Sequence, residues 1–197
     1  MKKLHPNLAL ALLLLVGVSC FGEVIDKVVV VINDKFIITL SDIQKERITQ
    51  LALGTDLGDD ESVANILVEK YVIEEQVTRY RGIEIPEERV QEHLQAIKNS
   101  QGLSPEELRQ AVVEKLRRAE FATQRFGPFI RFSDEELRKY YEDEYAPLAR
   151  RNGLPVPTFE QASNDIRQIL VALRINDELE TWMTELLRRT KVEKVSK

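Results

Sequence analysis

His93 has the widest chemical reach of any side chain in this 197-residue sequence, because an imidazole both titrates near neutral pH and ligates metals. It stands between Glu92 and Leu94 with no cysteine and no second histidine near it, whereas a metal centre needs several converging ligands. His93 therefore reads as a helix-surface position. The paired carboxylates Glu74-Glu75, Glu87-Glu88 and Glu135-Glu136 are the candidates for general acid and base work. Adjacent residues splay around a helix instead of aiming at one substrate, so these pairs read as solvated surface and as first-turn charges favoured by the helix dipole. Ser133, with Glu136 three residues on, has the spacing of a helix cap, and no histidine is placed to activate its hydroxyl. No Gly-rich phosphate loop is present. These absences make the expected protein non-catalytic, with no cofactor and no metal. An enzyme with an unrecognised site is the outlying alternative, which a prolyl-peptide isomerisation assay would dispose of.

What is left is the chemistry of apolar surface, which accepts polypeptide without an ATP site. The aromatics and methionine not consumed by regular stripes are Phe121, Phe126, Phe129, Tyr140, Tyr141, Tyr145, Trp182 and Met183. Aromatics at helical spacing are more often core than binding surface, and Trp182 reads as a core anchor. The peptide-binding set is therefore Phe121, Phe126, Phe129, Tyr141, Tyr145 and Met183, led by the Phe126–Phe129 joint, where loop-borne rings are harder to bury.

These side chains depend on a mostly helical scaffold that follows a leader. Lys2 and Lys3 precede an apolar run from Leu8 to Val18, and small residues follow before Glu23, the pattern of a secretory signal peptide over residues 1–22. The run is about 11 residues, against the roughly 20 that a membrane-spanning helix needs, so cleavage is expected over anchoring. Cys20 and Gly22 occupy the positions a signal peptidase reads. Gly17-Val18-Ser19-Cys20 supports a second reading, a degenerate lipobox with acylated Cys20, although Gly17 stands where that motif takes Leu. From Glu23 on, the chain has 26 basic and 33 acidic residues, a net charge of −7, and no cysteine. Thiol chemistry is then excluded, and the acidic balance argues against nucleic acid.

Residues 23–145 read as a hairpin and helices. Lys27–Ile32 folds against Lys35–Leu40 around Asn33-Asp34. Ser41, three residues before Gln44, is the expected cap of a helix to about Leu53. A second helix covers about Glu61 to Arg81, and a third starts at Ile85-Pro86 with Val90, Leu94 and Ile97 on one face. A fourth starts at Ser104-Pro105-Glu106-Glu107 and reaches Phe126 before Gly127-Pro128. A fifth, capped by Ser133, passes through Tyr140, Tyr141 and Tyr145. Residues 146–157, with Gly153, Pro155 and Pro157, read as a short extended linker. From the Thr158–Gln161 capping box, a helix without Gly or Pro runs to about Arg189, some 30 residues and roughly 45 Å. One face of it should be scaffold and the other the wall of a groove. Val192–Val195 reads as a strand for the open edge of the hairpin.

Several segments carry a resemblance. They are Val24-Ile25-Asp26-Lys27-Val28-Val29-Val30-Val31-Ile32-Asn33-Asp34 with Ile37-Ile38-Thr39-Leu40-Ser41-Asp42-Ile43, and Leu67-Val68-Glu69 through Ile73-Glu74-Glu75-Gln76. The joints Ile83-Glu84-Ile85-Pro86-Glu87-Glu88, Gln101-Gly102-Leu103-Ser104-Pro105-Glu106-Glu107-Leu108 and Phe132-Ser133-Asp134-Glu135-Glu136-Leu137 continue the order, which Trp182-Met183 and Lys191-Val192-Glu193-Lys194-Val195 close. In this order they resemble the SurA-like periplasmic chaperones outside their parvulin domains. The resemblance implies a mainly α fold: a helical SurA N-domain-like module, a small β-hairpin completed by the C-terminal strand, and a long C-terminal helix, in one module over residues 23–197. It also implies an ATP-independent chaperone for unfolded secreted or outer-membrane proteins. The chain departs from the family where a parvulin domain of about 100 residues usually sits, because only residues 146–157 fill that gap and no isomerase fits there. It departs again at Phe121, where relatives tend to break the fourth helix.

The expected partners are thus unfolded polypeptides in the periplasm, with no nucleic acid, and a homodimer formed by swapping the C-terminal helix is a further expectation. The alternative is a non-catalytic assembly module for a single envelope protein.

Overall fold

The computed structural model describes residues 26–80 and 82–195; the expected leader, Cys20 and Glu23 lie outside them. The β-branched run Val28–Ile32 (β1) turns into Phe36–Thr39 (β2). Asn33 and Asp34 at the turn hold φ of 51° and 55°, a left-handed conformation that Asn and Asp tolerate better than other side chains. The Lys35 N–H closes the turn on the Ile32 carbonyl at 3.0 Å. Val30, Ile32 and Ile38 alternate onto the inner face and are fully buried.

The first helix, Leu40–Ala52 (α1), begins earlier than the Ser41 cap implies. Thr39 caps it: its hydroxyl accepts the Asp42 N–H, and the Asp42 carboxylate accepts the Thr39 N–H at 2.8 Å. A cap residue needs extended backbone, which Thr39 already has as the last residue of β2, so strand passes into helix without a loop. Asp60–Arg79 (α2) is capped by Asp59, and Glu87–Ala96 (α3) follows Pro86. Pro105–Phe126 (α4) runs unbroken past Phe121.

The Ser104–Glu107 box at the start of α4 is complete, and Lys45 of α1 reaches Glu107 at 3.2 Å. Hydrogen bonds from the Ser104 N–H and hydroxyl, then Lys45, hold the Glu107 carboxyl down at about 2. A carboxyl depressed in the folded state contributes fully above its ordinary value of 4.5, and the contribution is lost as pH falls toward about 2. Ser104→Ala is expected to return Glu107 toward ordinary titration, read by carboxyl-carbon NMR, and to lower the Tm by about 3 °C at neutral pH. An unmoved Glu107 titration would show that the cap does not set it.

After a single turn at Gly127–Phe129, Asp134–Tyr140 (α5) is capped by Ser133 and Glu136 as expected. The helix does not stop at Tyr145. A wide turn over Tyr141–Tyr145, closed by the Ala146 N–H on the Tyr141 carbonyl, leads into Ala146–Arg151 (α6). Of the expected linker, residues 146–151 are helical, Asn152 and Gly153 form a turn, and only 154–157 lie outside helix and turn. In a regular helix the ring of Pro147 would meet the carbonyl four residues back, and the widened turn moves that carbonyl aside. Phe159–Arg188 (α7) is one 30-residue helix, and Val192–Lys194 (β3) pairs antiparallel with β1 to give the order β2-β1-β3. The fold is mainly α with a small antiparallel sheet and a long C-terminal helix.

The length of α7 sets the layout. Its N-terminal half buries Ala162 and Ile166 against Leu137 of α5, within a ring of Phe132, Tyr140, Tyr141, Tyr145 and Phe159. Its C-terminal half places Trp182 against Phe121 of α4 and Ile73 and Val77 of α2. Leu186 and Leu187 reach the core under the sheet, with Val30, Ile32, Ile38 and Val63. A fourth cluster joins Val90 of α3 to Val112 and Leu116 of α4. Asn33 fastens the chain's return: its N–H donates to the Lys191 carbonyl at 2.8 Å, and its side-chain oxygen accepts the Lys191 N–H at 3.0 Å.

Candidate peptide-binding groove

Helices α2, α4 and α7 pack closely where Phe121 and Trp182 meet and diverge on one side of that contact, leaving a groove of about 780 Å3. Ile66 and Ile73 come from α2, Ala119, Ala122 and Thr123 from α4, and Ile175, Leu179 and Met183 from α7. The small residues of α4 sit at helical spacing and keep that wall low, so the floor stays open between the larger side chains. Gly127 lies at one end, where a β-carbon would stand 3.7 Å from Ile175 and 3.9 Å from Thr123. The turn that carries Phe129 therefore abuts the groove.

Charge is distributed unevenly. Lys70 bridges Glu46 at 3.0 Å and Glu114 at 3.1 Å, and Glu46 also accepts from Gln50 at 2.7 Å, a network that ties α1, α2 and α4 together. Glu69, on the same wall of α2, is half-buried and forms no ion pair among the described residues; burial pushes its carboxyl above the ordinary value. Glu180 on α7 lines the groove and is also unpaired among the described residues. Arg118 of α4 has one guanidinium nitrogen covered from solvent with no acceptor among the described residues.

The expected contact residues do not form one surface. Met183 lines the groove. Phe121 is 1 % exposed, set edge-on to Tyr80 at 5.5 Å and tilted on Trp182 at 5.6 Å, so this expected contact residue is core instead. The reason is the unbroken α4, which carries the ring straight into the junction with α2 and α7. Phe126 is half-buried beside Trp182, with the Arg125 guanidinium 4.8 Å from the indole. Phe129 is 84 % exposed. Tyr141 and Tyr145 stack on each other in the distal cluster around α5, where the Tyr141 hydroxyl donates to the Pro157 carbonyl at 2.7 Å. His93 sits on α3, its Nδ1 2.9 Å from the Arg89 carbonyl; since a carbonyl only accepts, the proton lies on Nδ1.

In the sequence Ile66 and Ile73 belong to the apolar stripe of the second helix, and Ile175 and Leu179 to the long C-terminal helix, with nothing that marks any of the four as groove lining. Their three- and four-residue spacing is the same whether a face meets a core or a groove. The signal that bears on it is the Ala119-Ala122-Thr123 run opposite large residues of α7, which leaves unfilled space. No protein-family model and no curated protein matches this chain.

Proposed function

We propose that this chain is an ATP-independent holding chaperone of the periplasm, which keeps unfolded secreted or outer-membrane proteins from aggregating by seating their apolar segments in the α2–α4–α7 groove. The observation that carries the reading is the groove itself: an open apolar channel with low alanine walls and a flexible methionine, a surface that adapts to many side chains. Two apolar client side chains entering it would contribute about 3–6 kcal/mol before ordering costs. That corresponds to a Kd of some tens of micromolar at best, weak enough for release without nucleotide hydrolysis. The signal-peptide pattern read over residues 1–22 supports the location, and the resemblance of the hairpin, joints and terminal helix to SurA-like chaperones supports the activity. Among the described residues no helix is long and apolar enough to cross a membrane.

The test uses residues 23–197 and a denatured outer-membrane β-barrel protein, without ATP. Near-stoichiometric suppression of aggregation is expected, with Phe129→Ala weakening it a few-fold at unchanged Tm, since this ring is exposed two residues after Gly127, which stands against Ile175 of the groove. No suppression at several-fold excess would overturn the proposal in favour of an assembly module for one envelope protein.

A further inference from the structure

A second cleft lies away from the groove, where the C-terminal turns of α1 and α3 meet α4. It encloses about 320 Å3, near the lower end of the roughly 300–1,000 Å3 of small-ligand pockets. Its floor is apolar: Ala52 and Val112 are buried, and Leu53 and Ile97 pack against the cluster that contains Val112. Leu51, 38 % exposed, forms part of the lip.

The charges around this floor carry one sign, although the chain as a whole is acidic. Lys98 and Lys115 line the cleft, form no ion pair among the described residues and meet no lining carboxylate there. Glu92 and Glu114, next in sequence to His93 and Lys115, do not line it, and Glu114 is held by Lys70 at 3.1 Å. Asn99 accepts the Gln101 N–H through its side-chain oxygen at 2.9 Å, which leaves its amide N–H groups to donate. His93 also lines the cleft, with Nδ1 spent on the Arg89 carbonyl and Nε2 left over. The helix ends count in the other direction, because the C-terminus of a helix is its negative pole. Much of that is met within the chain: Thr49, Gln50 and Leu51 accept from Leu53, Thr55 and Gly54, and Leu94 accepts from Ile97. Lys98, two residues past the end of α3, answers the carbonyls that remain there, and Lys115 on α4 is left over.

A ligand complementary to this cleft brings an apolar body and a negative charge close together. The C-terminal residue of a polypeptide does so, because its side chain and its carboxylate leave the same carbon while the rest of the chain runs out through the open side. An acidic residue inside a chain brings the charge without the apolar group. A fatty acid brings both, but its apolar part is many carbons longer than a cleft of this size encloses.

We infer that this cleft binds the C-terminal residue of a polypeptide, with its apolar side chain over Ala52 and Val112 and its carboxylate among Lys98, Lys115 and the Asn99 amide. The inference does not rest on the holding reading. Helix α4 presents Val112 and Lys115 to the cleft and Ala119, Ala122 and Thr123 to the groove, so the two surfaces are tested apart.

The experiment is a backbone-amide NMR titration of residues 23–197 with an acetylated Gly/Ser hexapeptide that ends in leucine and carries either a free carboxylate or an amide. Shifts are expected at Gly54, Lys98 and Asn99 and not at Ala122 or Thr123, with the free acid bound about fivefold more tightly than the amide. A free-acid peptide ending in serine should bind at least about tenfold more weakly than the one ending in leucine. Lys98→Gln/Lys115→Gln, which removes no ion pair among the described residues, should abolish the preference for the acid, as should salt at about 0.5 M. No shifts at millimolar peptide, equal binding of acid and amide, a preference that survives the double substitution, or shifts at the groove instead would overturn the inference. Tighter binding of decanoate, or of an amidated peptide with an internal glutamate beside its leucine, would overturn the choice of occupant. Because the titration reads the cleft through its own amides, none of these results bears on the aggregation assay.

Discussion

Phe121→Ala is expected to destabilise the protein by about 4 kcal/mol, a large part of the roughly 5–15 kcal/mol that holds a domain folded. The ring is 1 % exposed and packs with Ile73 and Val77 of α2 and Trp182 of α7, so its loss opens a cavity where three helices meet. Collapse into that space is limited on the side of Trp182, which α7 holds against the ring, while Tyr80 contacts it edge-on from the C-terminal cap of α2. Trp182 is the single tryptophan of the chain, which makes its emission a direct report on this junction during urea unfolding. A destabilisation below about 1.5 kcal/mol would show that α2, α4 and α7 are held together elsewhere.

The largest functional effect is expected from Ala119→Trp. Ala119 is exposed on the groove wall of α4, so an indole there has room to lie across the channel without entering the core. A tryptophan covers roughly 150–250 Å2 of apolar surface, enough to fill much of the channel to which the proposed function assigns client side chains. Aggregation suppression should fall at least tenfold while the Tm stays within about 2 °C of the parent. Retained suppression in this variant would place holding outside the groove, and the exposed Phe129 would then be the first alternative surface to substitute.

The two variants probe features that differ in how legible they are in the sequence. The caps at Ser104, Ser133 and Thr158 depend on a few neighbouring residues, and the structure has each where local spacing puts it. The cap of α1 is different, because Thr39 outcompetes Ser41 through the backbone that β2 imposes on it, a fact of sheet pairing. The linker expected over residues 146–157 rests on Gly153, Pro155 and Pro157, and the wide turn over Tyr141–Tyr145 lets the helix continue past Pro147 as α6 before those residues are reached. The docking of β3 on β1 was readable from the bare edge of the hairpin, and α7 was readable as part scaffold and part groove wall. The role of Phe121 was not, since a phenylalanine has the same neighbours in sequence whether its helix turns it toward a core or toward a client. Three-helix geometry decides that, and a single chain's periodicity carries no information on how its helices diverge.

The return of β3 to β1 sets an order of events. Lys191 meets Asn33 across 158 residues of chain, and closing a loop of that size costs about 4–5 kcal/mol in entropy before any contact repays it. The helices, built from local contacts, should form first, and the sheet should be finished last. Until then β1, the run Val28–Ile32, has one edge of unpaired backbone groups, the template on which chains aggregate. Its own β3 competes for that edge at an effective concentration on the order of millimolar, so at micromolar protein the strand closes at home and only crowded chains exchange it. In its last unfinished moment the protein exposes the kind of extended, unpaired backbone that the proposed function would have it hold in others.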